Sequence, residues 1–236
     1  MILAKHKKNN LEDLPKPIKF NLSASKLEDL PESALYLFDK PVGISSFGAV
    51  YQVRAKLKDV HNKKIKVGHC GTLDPIASGL LILVSGKLTK RAGELTKMDK
   101  IYEAEATLGA SSSTYDSEGE LEVISTRKPS LNEVKTQLLK FKGKIEQTPP
   151  AFSAIKINGQ RAYKLAREGK PVEMKSRGVE VYSIELIKYA YPLVKFRVHV
   201  SSGTYIRSLI NDLGNNLQVG AHMTSLRRTN IGPYQL

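Results

Sequence analysis

Hydrophobic and polar side chains alternate along several segments of this chain. The clearest case is residues 101–108, where acidic and hydroxyl side chains lie between aromatic, apolar or small ones. A period of two places successive side chains on opposite faces of an extended chain, so this segment predicts a β-strand with one buried face. Residues 179–189 and 193–201 predict a pair of neighbouring strands. Short apolar runs at residues 34–38 and 80–84 predict two more strands, the second of them buried.

Three other segments repeat their apolar residues at helical spacing, namely 46–58, 131–141 and 204–217. The first follows a serine that can cap its N-terminus. Because predicted strands and helices are mixed without regular alternation, the fold class is α+β, with a mixed, mostly antiparallel central sheet flanked by helices. Residues 1–32 are polar and rich in lysine, which predicts a mobile basic arm with little core of its own. Residues 33–236 are expected to form the folded domain.

The composition narrows the class of partner and the compartment. The 236 residues carry 37 Lys and Arg against 23 Asp and Glu, a formal net charge of +14. Such a balance favours a polyanionic partner, either nucleic acid or an acidic membrane surface. No apolar run is long enough for a transmembrane helix and the N-terminus lacks the apolar core of a signal peptide, so we expect no membrane partner. The single Cys70 excludes an internal disulfide and fits the reducing cytoplasm.

The basic residues concentrate in four segments, 56–66, 87–100, 127–144 and 156–177. A run of charge is usually just a solvated face of a protein. Four such segments without a compensating acidic block favour a surface that follows a phosphate backbone. The chain has no Cys/His pattern with zinc spacing, no P-loop and no glycine-rich dinucleotide motif, so neither a metal nor a cofactor is expected.

Residues 68–75 place one carboxylate, Asp74, on a short loop between Gly71 and Pro75. Pro75 biases Asp74 toward extended or turn geometry, and Gly71 permits a backbone conformation that other residues avoid. The segment therefore suits a rigid loop that holds a single acid. The alternative is structural: Asp74 could cap a short helix that has Pro75 at its first position.

Three further side chains have both a functional and a structural interpretation. Arg207 lies near the start of a predicted helix, where a cation opposes the macrodipole. It either reaches a carboxylate or a phosphate, or is a solvated surface arginine. Tyr102 lies on the apolar face of its predicted strand, either as a platform on which a base stacks or as a core residue. His69 either contacts a phosphate or a base edge, or is a structural residue hydrogen-bonded within its loop.

Five blocks of residues, taken in order, resemble one enzyme family, the bacterial tRNA pseudouridine-55 synthases of the TruB type, which are related to dyskerin. The resemblance covers about residues 34–234. The blocks are residues 40–46, residues 68–75, matches within residues 100–119, matches within residues 147–169, and residues 203–209 together with 226–228. One block alone is a weak signal, whereas five in the same order are a strong one.

The resemblance implies a pseudouridine synthase fold with a thumb segment at about residues 142–178 that clamps RNA. It implies an enzyme that isomerises uridine to pseudouridine in the T-arm of tRNA, at position 55, on a base flipped out of the RNA. Asp74 is then the catalytic carboxylate and Arg207 its cationic partner, while Tyr102 stacks on the base and can move a proton at the sugar. The resemblance also implies that the flipped nucleotide or its neighbours are contacted by His69, Tyr205 and Leu226. Lys40 is implied to support the loop or a phosphate.

The implied partner is tRNA alone, since no guide RNA is expected, and we expect a monomer. Many members of the family continue into a small RNA-binding domain where this sequence ends, so no C-terminal RNA-binding domain is expected. Two rival functions stay open. The first is a pseudouridine synthase that acts on another RNA or depends on a guide RNA, as in the dyskerin kind. The second is an RNA-binding or RNA-folding protein whose chemistry is dispensable.

Overall fold

The computed structural model describes residues 13–20 and 30–236. The rest of the expected N-terminal arm lies outside the described residues. Within that arm, β1 (Ile18–Phe20) pairs in parallel with β2 (Leu35–Lys40). The structure differs here from an arm with little core of its own, because the ring of Phe20 packs edge-on against that of Tyr36, with 5.6 Å between the centroids.

The chain divides into two compact units. The first consists of the described residues up to Met98 together with Asn230–Leu236, and the second of Asp99–Thr229. Among the described residues of both units, no helix is long and apolar enough to cross a membrane.

The first unit is built on the long buried strand β4. After β1 and β2 it contains α1 (Ser46–His61), β3 (Val67–His69), β4 (Ala77–Ser85), a 3₁₀ helix (Gly86–Arg91) and α2 (Ala92–Thr96). The strands β2 and β3 both pair with β4 in antiparallel fashion. The predicted strands at 34–38 and 80–84 and the predicted helix at 46–58 are confirmed, and each is slightly displaced or longer than expected.

Apolar side chains of β2 and β4 form the core of the first unit. They are joined by residues from the loop after β3, from α2 and from the two chain segments that close the unit. The members of this cluster are Leu35, Leu37, Cys70, Leu80, Ile82, Val84, Leu95, Met98 and Ile231. Because β4 is buried on both faces, its sequence is a continuous apolar run and not an alternation.

The second unit contains the long antiparallel strands. Its elements are β5 (Lys100–Leu108), β6 (Ala110–Ser112), β7 (Leu121–Val123), α3 (Leu131–Lys140), β8 (Gly143–Gln147), β9 (Lys156–Ile157), β10 (Gln160–Arg161), α4 (Ala162–Arg167), β11 (Arg177–Ala190), β12 (Leu193–Val200), α5 (Ile206–Asn216) and β13 (Ala221–Ile231). The strand order is β13, β5, β12, β11, β8. The last two residues of β13 belong to the first unit, where they pair with β14 (Tyr234–Gln235).

The alternation of apolar and polar residues in β5 and β12 buries one face of each strand, as predicted. Tyr102 lies opposite Val198 in the antiparallel pair, and the even-numbered residues of both strands are buried. On the other face, Arg197 pairs with Glu103 at 2.6 Å and Lys195 pairs with Glu105 at 2.9 Å. The predicted strands at 179–189 and 193–201 and the helices at 131–141 and 204–217 are also present, so the predicted fold class is confirmed.

Candidate functional site

The loop that carries Asp74 lies between β3 and β4 in the first unit. Gly71 has a φ of 106°, in the left-handed region that favours glycine. The C=O of Asp74 accepts a hydrogen bond from the N–H of Ala77 at 3.0 Å, which closes a turn that leads directly into β4. Pro75 belongs to this turn and starts no helix, so the alternative in which Asp74 caps a helix is wrong. The Asp74 side chain is half-buried.

The backbone on both sides of Asp74 is held by the first residue of α1 and by the loop that precedes this helix. The Oγ of Ser46 accepts a hydrogen bond from the N–H of Leu73 at 2.7 Å and donates one to the C=O of the same residue at 2.8 Å. On the other side, the N–H of Gly43 donates to the C=O of Pro75 at 2.9 Å. These bonds fix the residues immediately before and after Asp74, so a rigid segment of backbone carries the carboxylate.

Lys40 strengthens the same connection from inside the protein. It is fully buried, and its Nζ donates to the C=O groups of Pro41 and Ile44 at 2.8 Å and lies 3.5 Å from that of Pro75. A buried ammonium needs hydrogen-bond acceptors around it, and here the backbone supplies them. These bonds agree with the alternative in which Lys40 supports the loop, and a contact of Lys40 with a phosphate stays a prediction.

His69 is the last residue of β3 and lies opposite Leu83 of β4. Its side chain is half-buried. The first unit thus contains three of the seven candidates, Lys40, His69 and Asp74, on β2, β3 and the loop that follows β3.

Arg207 is the second residue of α5, in the second unit, and it is only 5% exposed. Its Nη1 lies 3.2 Å from Oδ2 of the buried Asp116 and donates to the C=O of Thr114 at 2.9 Å, while its Nη2 donates to the C=O of Phe152 at 2.8 Å. The interpretation as a solvated surface arginine is therefore wrong. A carboxylate beside the guanidinium offsets the unfavourable placement of a cation at a helix N-terminus.

Asp116 is a site residue to which the sequence analysis assigned no role. Its Oδ1 accepts hydrogen bonds from the Oγ1 of Thr114 at 2.5 Å and from the N–H of Glu118 at 3.1 Å, so the carboxylate is held within its own turn before it meets Arg207. The signal available in the sequence was an aspartate in a Ser/Thr-rich turn, inside one of the five matching blocks.

Tyr205 immediately precedes α5, and its backbone is tied to the thumb segment. The side-chain amide of the buried Gln147 accepts from the N–H of Tyr205 at 2.8 Å and donates to its C=O at 3.0 Å. The guanidinium of Arg177 lies 5.0 Å from the centroid of the Tyr205 ring, in cation–π contact. The residues Gln147 and Arg177 were not predicted as site residues, although both lie at the ends of the expected thumb.

The other two candidates of the second unit are buried in strands. Tyr102 is 8% exposed on β5, and Leu226 is buried on β13. The second unit therefore contains four of the seven candidates, namely these two residues, Tyr205 and Arg207.

The thumb segment itself contains β9, β10 and the short helix α4. Its charged side chains are mostly basic, with nine Lys and Arg against three Glu over residues 142–178. The guanidinium of Arg167 lies 5.6 Å from the centroid of the Tyr163 ring. A cavity of about 420 Å³ opens in this segment, lined by Gly159, Gln160, Arg161, Lys164, Glu168 and Lys170. Within the residues that the structure describes, no three His, Cys, Asp or Glu side chains are grouped so that they could hold a metal ion.

Two family models match this chain. The first, described as TruB family pseudouridylate synthase (N terminal domain), matches residues 58–206. The chain belongs to the TruB family of pseudouridylate synthases. The second, described as tRNA pseudouridylate synthase B C-terminal domain, matches residues 207–236, which include Arg207 and Leu226.

Similar TruB proteins come from several bacteria. The tRNA pseudouridine synthase B of Clostridium kluyveri is 46% identical over 200 residues, which cover 84% of this chain and 67% of the relative. That of Chloroherpeton thalassium is 42% identical over 208 residues, or 87% of this chain and 86% of the relative.

A solved structure supports the pseudouridine synthase fold. The protein in a crystal structure of a Cbf5-Nop10-Gar1 complex superposes on 94% of this chain with a TM-score of 0.65 and 31% identity. This chain spans only 56% of that longer protein.

Proposed function

We propose that this TruB family protein isomerises uridine to pseudouridine in tRNA, and that its target is the uridine at position 55 in the T-arm. The observation that carries the proposal is the clamped loop, which presents Asp74 on fixed backbone in a chain of this family. The names of the bacterial relatives support tRNA as the substrate, since each is called a tRNA pseudouridine synthase B. The net charge of +14 agrees with an RNA partner.

The proposed reaction is an internal rearrangement. The bond from N1 of uracil to C1′ of ribose breaks, the base turns, and C5 of uracil bonds to C1′. The hydrogen on C5 leaves as a proton and N1 gains one, so atoms and electrons balance without an oxidant, a reductant or a nucleotide. One carboxylate that attacks the ribose or promotes a glycal-forming path is sufficient to start such a reaction.

Asp74 is the proposed catalytic carboxylate, and it must be ionised to act. A flipped base that covers the carboxylate favours its neutral form, whereas a nearby cation favours the charged form. Arg207 is the proposed cation, and this pairing remains a prediction. Arg207 also has a structural role, because it pairs with Asp116 inside the second unit.

The remaining roles are proposed on the same basis. Tyr102 stacks on the target base and can move a proton at the sugar. Stacking needs only the ring of Tyr102, whereas proton transfer also needs its hydroxyl. The residues proposed to contact the flipped nucleotide and its neighbours are His69, Tyr205 and Leu226. The basic thumb at about residues 142–178 clamps the RNA stem, and Gln147 ties that thumb to Tyr205. We propose a monomer that needs no guide RNA.

Release of tritium from tRNA that carries [5-³H]uridine tests this proposal. The wild-type protein is expected to release one hydrogen for each pseudouridine formed, because the new bond replaces C5–H. Asp74→Asn is expected to release none while its affinity for tRNA stays close to that of the wild type. Asp59→Asn, an exposed change of the same charge on α1, is the matched control and is expected to turn over normally.

The target is tested with the same assay. A tRNA in which the T-arm uridine is replaced by cytidine is expected to release no tritium, and an isolated T-arm stem-loop is expected to be a substrate. Substantial turnover by Asp74→Asn would remove this residue from the catalytic role. Tight binding of tRNA by the wild type without any release would instead point to another RNA substrate or to a binding protein.

A further inference from the structure

Helix α1 carries an unusual combination of side chains on its solvent face. Phe47, Tyr51, Arg54 and Lys58 follow one another at spacings of four, three and four residues, so they lie along one side of the helix. The opposite side is buried and apolar, as expected for a surface helix. The solvent side would then normally be polar, yet Phe47 is 63% exposed and Tyr51 is 65% exposed.

The ring of Phe47 is held by a cation that is itself anchored. The guanidinium carbon of Arg54 lies 5.8 Å from the ring centroid, and Nη2 of the same residue donates to the C=O of Val67 in β3 at 3.2 Å. A ring that is already positioned loses less side-chain entropy when a second planar group stacks on it. The arrangement is therefore suited to stacking and not only to exposure.

The aromatic end of this stripe adjoins the loop that holds Asp74. Phe47 follows Ser46, whose hydroxyl makes both hydrogen bonds to Leu73, the residue before Asp74. Val42, in the loop that fixes Pro75, is also exposed. An RNA that presents a nucleotide to Asp74 would bring its neighbouring nucleotides close to this end of α1.

The other end of the stripe is basic. Residues 46–66 contain six Lys and Arg and one acid, Asp59. Lys58 is exposed and continues the line of the two aromatic rings. Aromatic rings interleaved with cations form the surface that binds single-stranded nucleic acid, since every base has a face that can stack and every nucleotide carries a phosphate.

From this geometry we infer that the α1 stripe, Phe47, Tyr51, Arg54 and Lys58, binds unpaired nucleotides of the substrate RNA next to the target uridine. Phe47 and Tyr51 stack on bases, Arg54 holds the ring of Phe47, and Lys58 contacts a phosphate. The stripe is about 16.5 Å long, from eleven residue steps of 1.5 Å. The inference rests on the proposed function and adds to it a binding surface on the first unit.

Binding of a fluorescein-labelled T-arm stem-loop to the full chain, followed by anisotropy, tests this surface. Phe47→Ala and Tyr51→Ala are each expected to weaken binding roughly five- to hundredfold. Phe47→Trp is expected to bind as the wild type does, whereas Phe47→Leu, which keeps an apolar side chain without a stacking face, is expected to behave like Phe47→Ala. Leu139→Ala, an exposed apolar residue on α3, is the control.

Lys58→Gln is expected to reduce the slope of log affinity against log salt by about 0.7 to 0.9, the loss of one phosphate contact. Thermal unfolding of each variant separates lost binding from lost fold. Equal affinity of the wild type, Phe47→Ala and Tyr51→Ala would overturn the inference and leave this face to a partner other than RNA.

The tritium assay on the same preparations keeps the two proposals apart. If the wild type releases tritium and the aromatic variants raise KM with kcat nearly unchanged, both proposals are supported, because uniform binding has been lost. If the wild type releases none, the proposed function fails, and the anisotropy of the variants still decides the role of the stripe.

Discussion

At the scale of single residues, the hydroxyl of Ser46 fixes the backbone next to Asp74. It bonds to both backbone groups of Leu73, over a separation of 27 residues in the chain. The neighbouring residue Ser45 has a different role. Its Oγ accepts a hydrogen bond from the N–H of Gly48 and thereby caps α1. Of these two adjacent serines, Ser45 therefore caps the helix and Ser46 positions the loop that carries the acid.

We predict that Ser46→Ala lowers kcat roughly 10- to 100-fold, because a carboxylate displaced by about 1 Å reacts much more slowly. The two backbone groups of Leu73 that lose their partner are each predicted to cost about 1–3 kcal/mol of stability. Ser45→Ala is predicted to cost about 1 kcal/mol of stability through the lost cap and to leave kcat unchanged. Tritium-release kinetics and urea unfolding measure both quantities, and equal kcat values for the two variants would refute the positioning role.

Arg207 and Asp116 form a buried ion pair whose loss has two separable consequences. Both side chains are almost inaccessible, so Asp116→Asn and Arg207→Ala are each predicted to lower the free energy of unfolding by about 3–5 kcal/mol. If Arg207 also serves Asp74, Arg207→Ala loses more turnover than Asp116→Asn at a temperature where both variants are folded. Equal turnover of the two variants would limit Arg207 to a structural role.

At the scale of elements, α3 illustrates how local sequence sets a helix boundary. Ser130 and Glu133 form a reciprocal capping box, in which each side chain bonds to the backbone of the other residue. The hydrogen bond from the backbone N–H of Ser130, followed by that from Arg127, lowers the pKa of Glu133 from 4.5 to about 2. The charged form of Glu133 therefore stabilises the folded state.

The sign of this shift predicts the pH dependence. A lowered pKa contributes stability that is fully present above the unfolded value of 4.5 and is lost as the pH falls toward about 2. The difference in unfolding free energy between the wild type and Glu133→Gln is expected to be constant near neutral pH and to shrink between pH 4.5 and 2. Urea unfolding across that range measures it, and a difference that grows in acid would contradict the prediction.

The elements also show where sequence patterns succeed. The alternation in β5 and β12 predicts the buried face correctly, because both strands pair along their whole length and keep one face in the core. The strand β13 was not predicted, since Arg227 and Arg228 interrupt its apolar pattern. Arg228 is nevertheless fully buried, and a local pattern cannot indicate that a charged side chain lies inside the protein.

At the scale of the whole molecule, the net charge of +14 predicts an association with RNA that depends on salt. Each phosphate contact contributes about 0.7 to 0.9 to the slope of log affinity against log salt. We predict that the affinity for tRNA falls at least about tenfold between 50 and 200 mM salt. Asp74→Asn is expected to show the same slope, because its carboxylate contacts no phosphate. An affinity independent of salt would show that the basic segments are only solvated faces.

The amino-acid sequence by itself determined the strands and helices with clear periods, the basic character of the surface and the candidate acid on its Gly- and Pro-bounded loop. These features depend on neighbouring residues, and local chemistry is sufficient to predict them. Only the tertiary structure decided that Ser46 clamps Leu73, that Lys40 supports the loop from a buried position, and that Asp116 is a partner of Arg207. The physical reason is that the burial of Lys40 and the contacts of Ser46 and Arg207 depend on segments far apart in the chain, such as Arg207 and Thr114 at a separation of 93 residues, which no local period encodes.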